Sequence, residues 1–290
     1  ILFIGTVEFS YKALSTLIEN EFEIIGILSK KESNFNSDYY DLVKYSKKKK
    51  IDTIYSDKIN SIKIFRWIKK RKPDIIFCIG WSQLLNKKIL NIAPKGVIGY
   101  HPSDLPKNRG RHPIIWSLAL GLKNIGSSFF YMDSKADTGR IISKKMIKIK
   151  KNSDSNSIYK NLIKEGRKQI REIIFKMKKN KLYSFPQKNS QSNYWRKRSE
   201  IDGKIDWRMS ADNINNLVKA LTKPYPGAYF LLKEKKIIIW KSKVINLNTR
   251  NFEPGKIIEF NKHLVIKCGS KALKIITFHP KINLKRVKYL

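Results

Sequence analysis

Two side chains that can move protons lie in two separate loops of this sequence. His101 begins the segment His-Pro-Ser-Asp-Leu-Pro-Lys-Asn-Arg-Gly-Arg-His-Pro, and Asp137 lies in the later segment Lys-Ala-Asp-Thr-Gly. An imidazole titrates near neutral pH, and a carboxylate can orient that imidazole or accept a proton itself. If the two loops meet in the fold, His101 and Asp137 form a site for proton transfer.

The residues before His101 predict how that histidine is positioned. Gly-Val-Ile-Gly-Tyr, ending at Tyr100, is short and apolar, which is typical of a buried strand. Ligands of open α/β sheets bind outside the carboxyl ends of the strands. Pro102 and Pro106 then restrict the backbone of the following loop. The sequence therefore predicts a ligand site where this strand ends.

The first half of the chain alternates between predicted strands and predicted helices. Predicted strands cover 1–5, 22–29, 51–55, 74–79, 97–100, 127–132 and 140–149. Predicted helices cover 9–20, 39–50, 61–70, 83–92, 113–120 and 153–179. Such alternation predicts an α/β fold with a Rossmann-like, mostly parallel sheet and helices on both faces.

The last third of the chain has a different pattern. Residues 184–200 contain Pro186, several Ser and Asn and no clear period, which is typical of a linker. After a predicted helix at 211–221, five short strands are predicted at 228–232, 237–244, 255–260, 263–268 and 272–278. Closely spaced short strands indicate a small β-barrel or sandwich. We therefore expect a first domain at 1–183, a linker at 184–200 and a second domain at 201–290.

The net charge of +38 raises the question of a nucleic-acid partner. The basic residues are 49 Lys and only 12 Arg, spread along the whole chain, and Ile and Asn are also abundant. This pattern favours a compositional bias of the source genome over a dedicated groove for polyanions. The same field would still attract a small anionic substrate.

Three further features bear on the compartment. Cys78 and Cys268 lie far apart in apolar runs, which predicts buried, reduced thiols and a reducing compartment. No run of about 18 apolar residues predicts a transmembrane helix. The first residues fit a buried strand better than a signal peptide. We therefore expect a cytoplasmic protein with no membrane partner.

The two loop motifs together resemble a known enzyme family. The residues from His101 to Gly110 are similar to the HxSLLPxxRG signature of formyltransferases that use 10-formyltetrahydrofolate, and Asp137-Thr-Gly139 resembles their DTG or DAG element. The family includes methionyl-tRNA formyltransferase, glycinamide ribonucleotide transformylase and sugar N-formyltransferases. The resemblance implies that 1–183 is the catalytic domain and that 201–290 is an OB-like β-barrel.

The resemblance implies a formyl transfer from N10-formyltetrahydrofolate to an amine, without a metal. His101 would donate to the developing oxyanion or shuttle a proton, and Asp137 would orient His101 or take the amine proton. The family usually carries Asn two residues before the histidine, where this chain has Gly99. We hypothesise that another group supplies the missing donor. The candidates are Ser103, which we count as catalytic, Gln83, a backbone N–H and an ordered water.

The resemblance also implies which residues line the folate site. The family's loop after another core strand corresponds to Gly-Trp-Ser-Gln-Leu-Leu, ending at Leu85. The predicted folate-binding residues are Trp81, Ser82, Gln83, Leu84, Leu85, Asp133, Ala136 and Asp137. The alternative is a plain strand-to-helix turn in which Trp81 packs in the core.

The acceptor is predicted from the residues that follow the histidine loop. Arg111 and Trp116 fit the RGRxPxxW pattern common in sugar enzymes, so we expect a nucleotide-linked amino sugar from surface-polysaccharide synthesis. Lys107, Arg109 and Arg111 are the predicted substrate-binding residues, although Arg109 could instead buttress its loop. Methionyl-tRNA is the alternative acceptor. A formyl-folate hydrolase, a non-catalytic folate-binding module and a homodimer also remain open.

Two other segments allow alternative interpretations. The run Tyr-Trp-Arg-Lys-Arg, from Tyr194 to Arg198, could stack a nucleobase and bind a pyrophosphate. It could equally be a linker strapped across the first domain. His112 precedes the helix-starting Pro113, and we expect it to be structural.

Overall fold

A computed structural model of the chain describes residues 1–32, 37–247, 251–260, 263–281, 284 and 287–290. The chain divides into two compact units, each assembled from separate stretches of sequence. The first unit comprises Ile1–Gly110, Ile125–Ile147 and Lys160–Trp195. The second unit comprises Arg111–Asn124, Lys148–Tyr159 and Arg196–Leu290.

The first unit is built on a seven-stranded sheet. Its strands are β1 (Leu2–Ile4), β2 (Gly26–Ser29), β3 (Thr53–Tyr55), β4 (Ile76–Cys78), β5 (Val97–His101), β7 (Asn124–Tyr131) and β8 (Ile141–Lys148). The short strand β6 (Arg109–Gly110) lies between β5 and β7 in the sequence but is not part of this sheet. The strand order is β3-β2-β1-β4-β5-β7-β8. Strands β1 to β5 pair in parallel, and β7 is antiparallel to β5. The predicted mostly parallel α/β sheet is thereby confirmed.

Six helices accompany the first eight strands along the chain. They are α1 (Glu8–Glu19), α2 (Leu42–Lys48), α3 (Ile62–Lys70), α4 (Lys87–Leu90), α5 (Pro113–Ala119) and α6 (Ser155–Lys178). Helices α2 and α4 are shorter than predicted because capping side chains fix where they begin. Asp41 accepts a hydrogen bond from the amide of Val43 at 3.0 Å, and Asn86 accepts one from the amide of Ile89 at 3.0 Å.

The core of this unit lies on both faces of the central strands. Leu2 and Ile4 of β1 belong to a buried cluster that includes Ile64 and Ile68 of α3. Phe3, between them in β1, is also fully buried, and strand geometry directs it to the opposite face. Both faces of β1 are therefore covered, which is the arrangement expected of a parallel sheet.

Residues 184–200, predicted as a linker, make regular contacts with the first unit over their first part. Phe185 forms an isolated antiparallel bridge with Ile141. Strand β9 (Tyr194–Trp195) pairs in parallel with β6. This two-stranded ribbon joins the end of the histidine loop to the segment that follows α6.

The second unit carries the C-terminal sheet. Its elements are α7 (Ala211–Leu221), β10 (Ala228–Leu232), β11 (Lys235–Ile245), β12 (Ile257–Glu259), β13 (Leu264–Lys267) and β14 (Ala272–His279). The strands are antiparallel in the order β10-β11-β14-β13-β12. The register shifts around Lys241, and such irregularities let a strand bend. The sheet curls into a half-barrel, which agrees with the predicted small β domain.

Two other sequence features can be located in the fold. Cys78 in β4 and Cys268 after β13 are both buried and unpaired. Within the described ranges, no helix has both the length and the apolar character needed to cross a lipid bilayer.

Candidate active site

The two residues predicted to transfer protons lie together in the first unit. His101 Nδ1 is 3.6 Å from Asp137 Oδ1, and the two side chains are only 9% and 16% exposed. This distance is too long for a good hydrogen bond, but it lets the carboxylate stabilise the imidazole ring whenever that ring is protonated. The two loops therefore meet, as their residue types suggested.

The orientation of His101 follows from its position at the end of β5. Its Nε2 atom lies 3.1 Å from the carbonyl oxygen of Asn108. A carbonyl can only accept, so Nε2 carries the proton and the neutral ring has its lone pair on Nδ1. That lone pair lies on the side of Asp137. The ring can therefore accept a proton at Nδ1, next to a carboxylate that stabilises the resulting cation.

The orientation of Asp137 is set by its own strained loop. Asp137 adopts a left-handed backbone conformation with φ 59°. Its Oδ2 atom accepts a hydrogen bond of 2.9 Å from the amide of Gly110, which leaves Oδ1 near His101. Earlier in the loop, Asp133 accepts hydrogen bonds from the Lys135 amide and the Thr138 hydroxyl at 3.0 and 2.6 Å. The loop is thus held in one shape by its own polar groups.

The structure favours the buttressing alternative for Arg109. This side chain is 2% exposed, and its guanidinium donates to Gln187, Asn189 and Tyr194. A fully buried guanidinium with its donors occupied is poorly placed to bind an incoming anion. Of the other predicted substrate-binding residues, Lys107 is exposed in the first unit and Arg111 is exposed in the second.

The space beside Gly99 is filled by Met132. A Cβ atom at position 99 would lie 2.7 Å from Met132 Cγ and 3.2 Å from the ring of Phe130. The position where the resemblance calls for an asparagine therefore has neither a donor nor room for one. The methionine supplies apolar contact in its place.

The two side chains considered as replacement donors are already hydrogen-bonded. Ser103 is 1% exposed, and its hydroxyl donates to the carbonyl of Lys107 at 3.1 Å. Gln83 Nε2 donates to the carbonyl of Asp57 at 2.8 Å. The geometry thus gives Ser103 a structural role within its loop, and it gives Gln83 one in connecting two loops.

The loop after β4 combines core packing with unsatisfied polar atoms. Trp81 packs against the buried cluster that contains Leu85, whereas Leu84 is 53% exposed. The Trp81 indole nitrogen and the Gln83 side-chain oxygen are buried, and among the described residues neither has a hydrogen-bond partner. Buried polar atoms without partners are uncommon in proteins and call for a ligand or water. The loop therefore carries one donor and one acceptor whose hydrogen-bonding capacity is unused among the described residues.

Two cavities of ligand size meet at the end of β7. One has a volume of about 860 Å³ and is lined in part by Leu90, Val97, Met132 and Asp133. The other measures about 700 Å³ and is lined in part by Arg109, Gln187, Tyr194 and again Met132 and Asp133. Of the predicted folate-binding residues, Asp133 lines both cavities. Neither cavity is lined by the other predicted folate-binding residues, which are 81–85, 136 and 137. His101 also lines neither cavity.

In the second unit, the predicted aromatic and cationic residues stack on one another. The guanidinium carbons of Arg196 and Arg198 lie 5.4 and 4.6 Å from the centre of the Trp116 ring. The Trp116 indole nitrogen donates to the carbonyl of Arg196 at 3.0 Å. The hydrogen bonds from Arg196 hold the pKa of Asp202 well below its usual range. These contacts stabilise the unit itself.

His112 belongs to the same group of residues. Its Nδ1 atom accepts a hydrogen bond of 3.3 Å from the amide of Arg198. Burial and the neighbouring charge of Arg111 lower the pKa of His112. A neutral histidine that accepts a main-chain hydrogen bond agrees with the structural role expected for it.

Two protein-family models match the chain. The formyl transferase family model matches residues 1–174, and the model of the formyl transferase C-terminal domain matches residues 197–285. A similar protein is the bifunctional polymyxin resistance protein ArnA of Wigglesworthia glossinidia brevipalpis, with 38% identity over 272 residues. The match covers 93% of this chain but 41% of that relative, so the chain spans less than half of its length.

Solved structures of sugar N-formyltransferases share the fold. WlaRD, a sugar 3N-formyl transferase crystallised with dTDP and 5-N-formyl-THF, aligns with a TM-score of 0.73 at 20% identity, over 97% of this chain and 98% of that one. An N-formyltransferase from Helicobacter canadensis, in complex with folinic acid and dTDP-3-aminofucose, aligns with a TM-score of 0.72 at 19% identity, over 94% and 97%. The resemblance inferred from the two loop motifs is thereby confirmed. The chain belongs to the formyl transferase family of one-carbon transferases.

Proposed function

We propose that this chain transfers a formyl group from N10-formyltetrahydrofolate to the primary amine of a nucleotide-linked amino sugar. The observation that carries the proposal is the pair of His101 and Asp137, with an acceptor nitrogen on one side and a carboxylate held by a main-chain amide on the other. The solved relatives that bind dTDP or dTDP-3-aminofucose support this class of acceptor.

The folate would supply an activated one-carbon group. The resemblance assigns the loop that carries Trp81 and Gln83 to the pterin ring, and each of these side chains has one polar atom without a hydrogen-bond partner among the described residues. WlaRD and the Helicobacter canadensis enzyme, which share the fold, were crystallised with 5-N-formyl-THF and folinic acid, and these ligands support a folate donor. Together these features support folate binding by this unit.

Proton transfer by the chain's own residues follows from the geometry. An amine that forms a new bond to carbon must lose a proton, and His101 Nδ1 is oriented to accept it. The carboxylate of Asp137 stabilises the imidazolium that results, because it is 3.6 Å away in a partly buried site. The same proton can then be returned to the departing amine of the donor, so that the histidine ends each cycle neutral.

The charge of the chain supports an anionic acceptor. A net charge of +38 produces a positive field that raises the encounter rate with phosphorylated ligands. Lys107 and Arg111 are exposed cations close in sequence to the catalytic loop. A nucleoside diphosphate carries the complementary charge.

The test is a formylation assay with defined acceptors. The chain is incubated with 10-formyltetrahydrofolate alone, with a panel of UDP- and dTDP-linked amino sugars, and with initiator methionyl-tRNA. We expect product only with a nucleotide sugar. Formylation of the tRNA alone would overturn the choice of acceptor, deformylation without an acceptor would identify a hydrolase, and binding without turnover would identify a folate-binding module.

The carboxylate is tested with a matched pair of variants. Asp137→Asn keeps the shape of the side chain but removes its charge, and we expect kcat to fall about 10²–10⁴-fold, the usual contribution of a proton-transfer residue. Asp104→Asn is the control, because Asp104 lies in the histidine loop but pairs with Lys144 at 2.8 Å instead. We expect the control to keep kcat close to that of the parent protein. Equal rates for both variants would remove Asp137 from the mechanism.

A further inference from the structure

One amide side chain in the segment after α6 connects both catalytic loops. Gln187 Nε2 donates to the carbonyl oxygens of Asp137 and Gly139 at 2.9 and 2.7 Å. Its Oε1 atom accepts hydrogen bonds from Arg109 Nε and Nη2 at 3.2 and 2.8 Å. The amide has two donors and two lone pairs, and all four are used. The opposite orientation would place its NH₂ group against a guanidinium, so the orientation is fixed by its partners.

These hydrogen bonds fix the main chain of Asp137, in addition to the contact that fixes its carboxylate. The carboxylate of Asp137 is held by the Gly110 amide, while its carbonyl is held by Gln187. Arg109, which Gln187 also contacts, is the residue directly before Gly110. A closed ring of contacts therefore runs from Asp137 through Gly110, Arg109 and Gln187 back to Asp137.

The ring opposes the backbone strain at Asp137. A residue other than glycine in the left-handed region is strained and persists only where its surroundings enforce it. Without the two carbonyl contacts of Gln187, the peptide around Asp137 is free to relax. Relaxation would carry the carboxylate away from both the Gly110 amide and His101.

We propose that Gln187 is a positioning residue for Asp137 in formyl transfer. It acts through the backbone of the Asp137 loop and through Arg109. The inference rests on the proposed function for its kinetic consequence, because Asp137 matters to the rate only if the chain transfers formyl groups. Its structural consequence, the strength of the contact between Asp137 and the Gly110 amide, can be measured without any activity.

The test compares two variants of Gln187 with the same two changes at Gln191. Gln187→Leu removes all four hydrogen bonds, and Gln187→Glu keeps an acceptor for Arg109 but loses both donors to the loop. Gln191 is an exposed glutamine four residues later, in the one-turn helix Asn189–Gln191. Each protein is measured for kcat, for the KM of the formyl donor, for the urea midpoint of unfolding and for hydrogen exchange at the Gly110 amide.

We expect both Gln187 variants to lose about 10–100-fold in kcat, as displaced catalytic groups usually do, with the donor KM within about threefold of the parent value. The Gly110 amide should exchange at least about tenfold faster, and by more than any accompanying fall in the urea midpoint accounts for. The Gln191 variants should match the parent protein in every measurement. Because the effect depends on the two lost donors, Gln187→Glu should behave like Gln187→Leu.

Three results would overturn the inference. Parent-like Gly110 exchange in both Gln187 variants would show that the ring does not hold the carboxylate. A parent-like kcat in an active enzyme would show that the ring has no catalytic consequence. Loss of protection across the whole unit, with a lowered urea midpoint in both variants, would assign Gln187 a merely structural role. If the parent chain formylates no acceptor, the proposed function fails, and Gly110 exchange still decides whether Gln187 holds Asp137.

Discussion

The polar groups that orient His101 and Asp137, the proposed catalytic pair, are mostly main-chain atoms. A carbonyl, that of Asn108, fixes the protonated nitrogen of His101, and an amide, that of Gly110, fixes one oxygen of Asp137. Main-chain groups have few conformations once the loop is folded, so they hold a side chain more rigidly than another flexible side chain would. The precision of this site therefore depends on the loop backbone at residues 108–110.

Gly110 is the residue at which that dependence is most direct. Its φ is +104°, and a Cβ atom there would lie 2.3 Å from the carbonyl oxygen of Trp195. Gly110→Ala must therefore separate β6 from β9 and move the amide that holds Asp137. We expect a fall in kcat of at least about tenfold, since displaced catalytic groups cost that much or more.

The control for Gly110→Ala is Gly96→Ala. Gly96 also has a left-handed φ, +77°, but an added Cβ would meet only the Tyr131 ring, at 3.4 Å. Urea unfolding should show a loss of about 1 kcal/mol for Gly96→Ala, from φ alone, and a larger loss for Gly110→Ala. Equal losses at the two positions would contradict the steric explanation.

The residue types of the site could be predicted from the sequence, but their supports could not. His101 and Asp137 carry recognisable chemistry and lie in motifs of unusual composition. Gln187 lies 50 residues beyond Asp137, in a stretch with no period, and nothing local distinguishes it from Gln191. Met132, just past β7, fills the space that a side chain at position 99 would occupy. Only the pairing of β5 with the end of β7 reveals it.

At the scale of elements, Ser10 connects the turn between β1 and α1 to the end of the central strand β4. Ser10 Oγ accepts hydrogen bonds from the amides of Thr6 and Val7, each at 3.1 Å. The same hydroxyl donates to the carbonyl of Ile79, just past β4, at 2.6 Å. One buried hydroxyl therefore fixes where α1 begins and how it meets β4.

Replacing that serine tests its energetic contribution. Ser10→Ala leaves two amides and one carbonyl without their partner in a fully buried site, and we expect a loss of about 1–3 kcal/mol in the free energy of unfolding. Ser15→Ala on the same helix is the control, since its hydroxyl only donates to the Tyr11 carbonyl within the helix. Urea denaturation of both variants measures the difference. A control that lost as much as Ser10→Ala would contradict this role.

The types of the elements followed from the sequence more closely than their ends. Short apolar runs such as 97–100 became strands because their residues fill the core on both faces. The predicted helices at 39–50 and 83–92 proved too long, because Asp41 and Asn86 accept main-chain hydrogen bonds and start the helices late. The sequence of segment 184–200 shows no hydrophobic period, because its contacts with the first unit are made by single residues, such as Phe185 with Ile141.

At the scale of the whole molecule, the arginines and the lysines contribute to the positive charge in different ways. Several of the 12 arginines are engaged in defined contacts, as Arg109 is with Gln187, Arg167 with Glu19 and Arg196 with Asp202. Among the described residues, the lysines instead lie mostly at exposed positions spread along the sequence. Evenly distributed lysines produce a general positive field without a defined binding surface. This distribution supports the compositional interpretation of the +38 charge.

The two cysteines allow the opening of each unit to be measured separately, because Cys78 belongs to the first unit and Cys268 to the second. Burial raises the pKa of each thiol to about 12. At pH 8 the reactive thiolate is therefore nearly absent in the folded chain, whereas an unfolded cysteine, with a pKa of about 8.5, ionises readily.

We expect a thiol reagent such as DTNB to label neither residue in the native protein on the timescale of minutes. In urea both should react, and mass spectrometry of the labelled peptides would give an unfolding midpoint for each unit. Rapid labelling of Cys78 under native conditions would contradict the packing of β4 at the centre of the sheet.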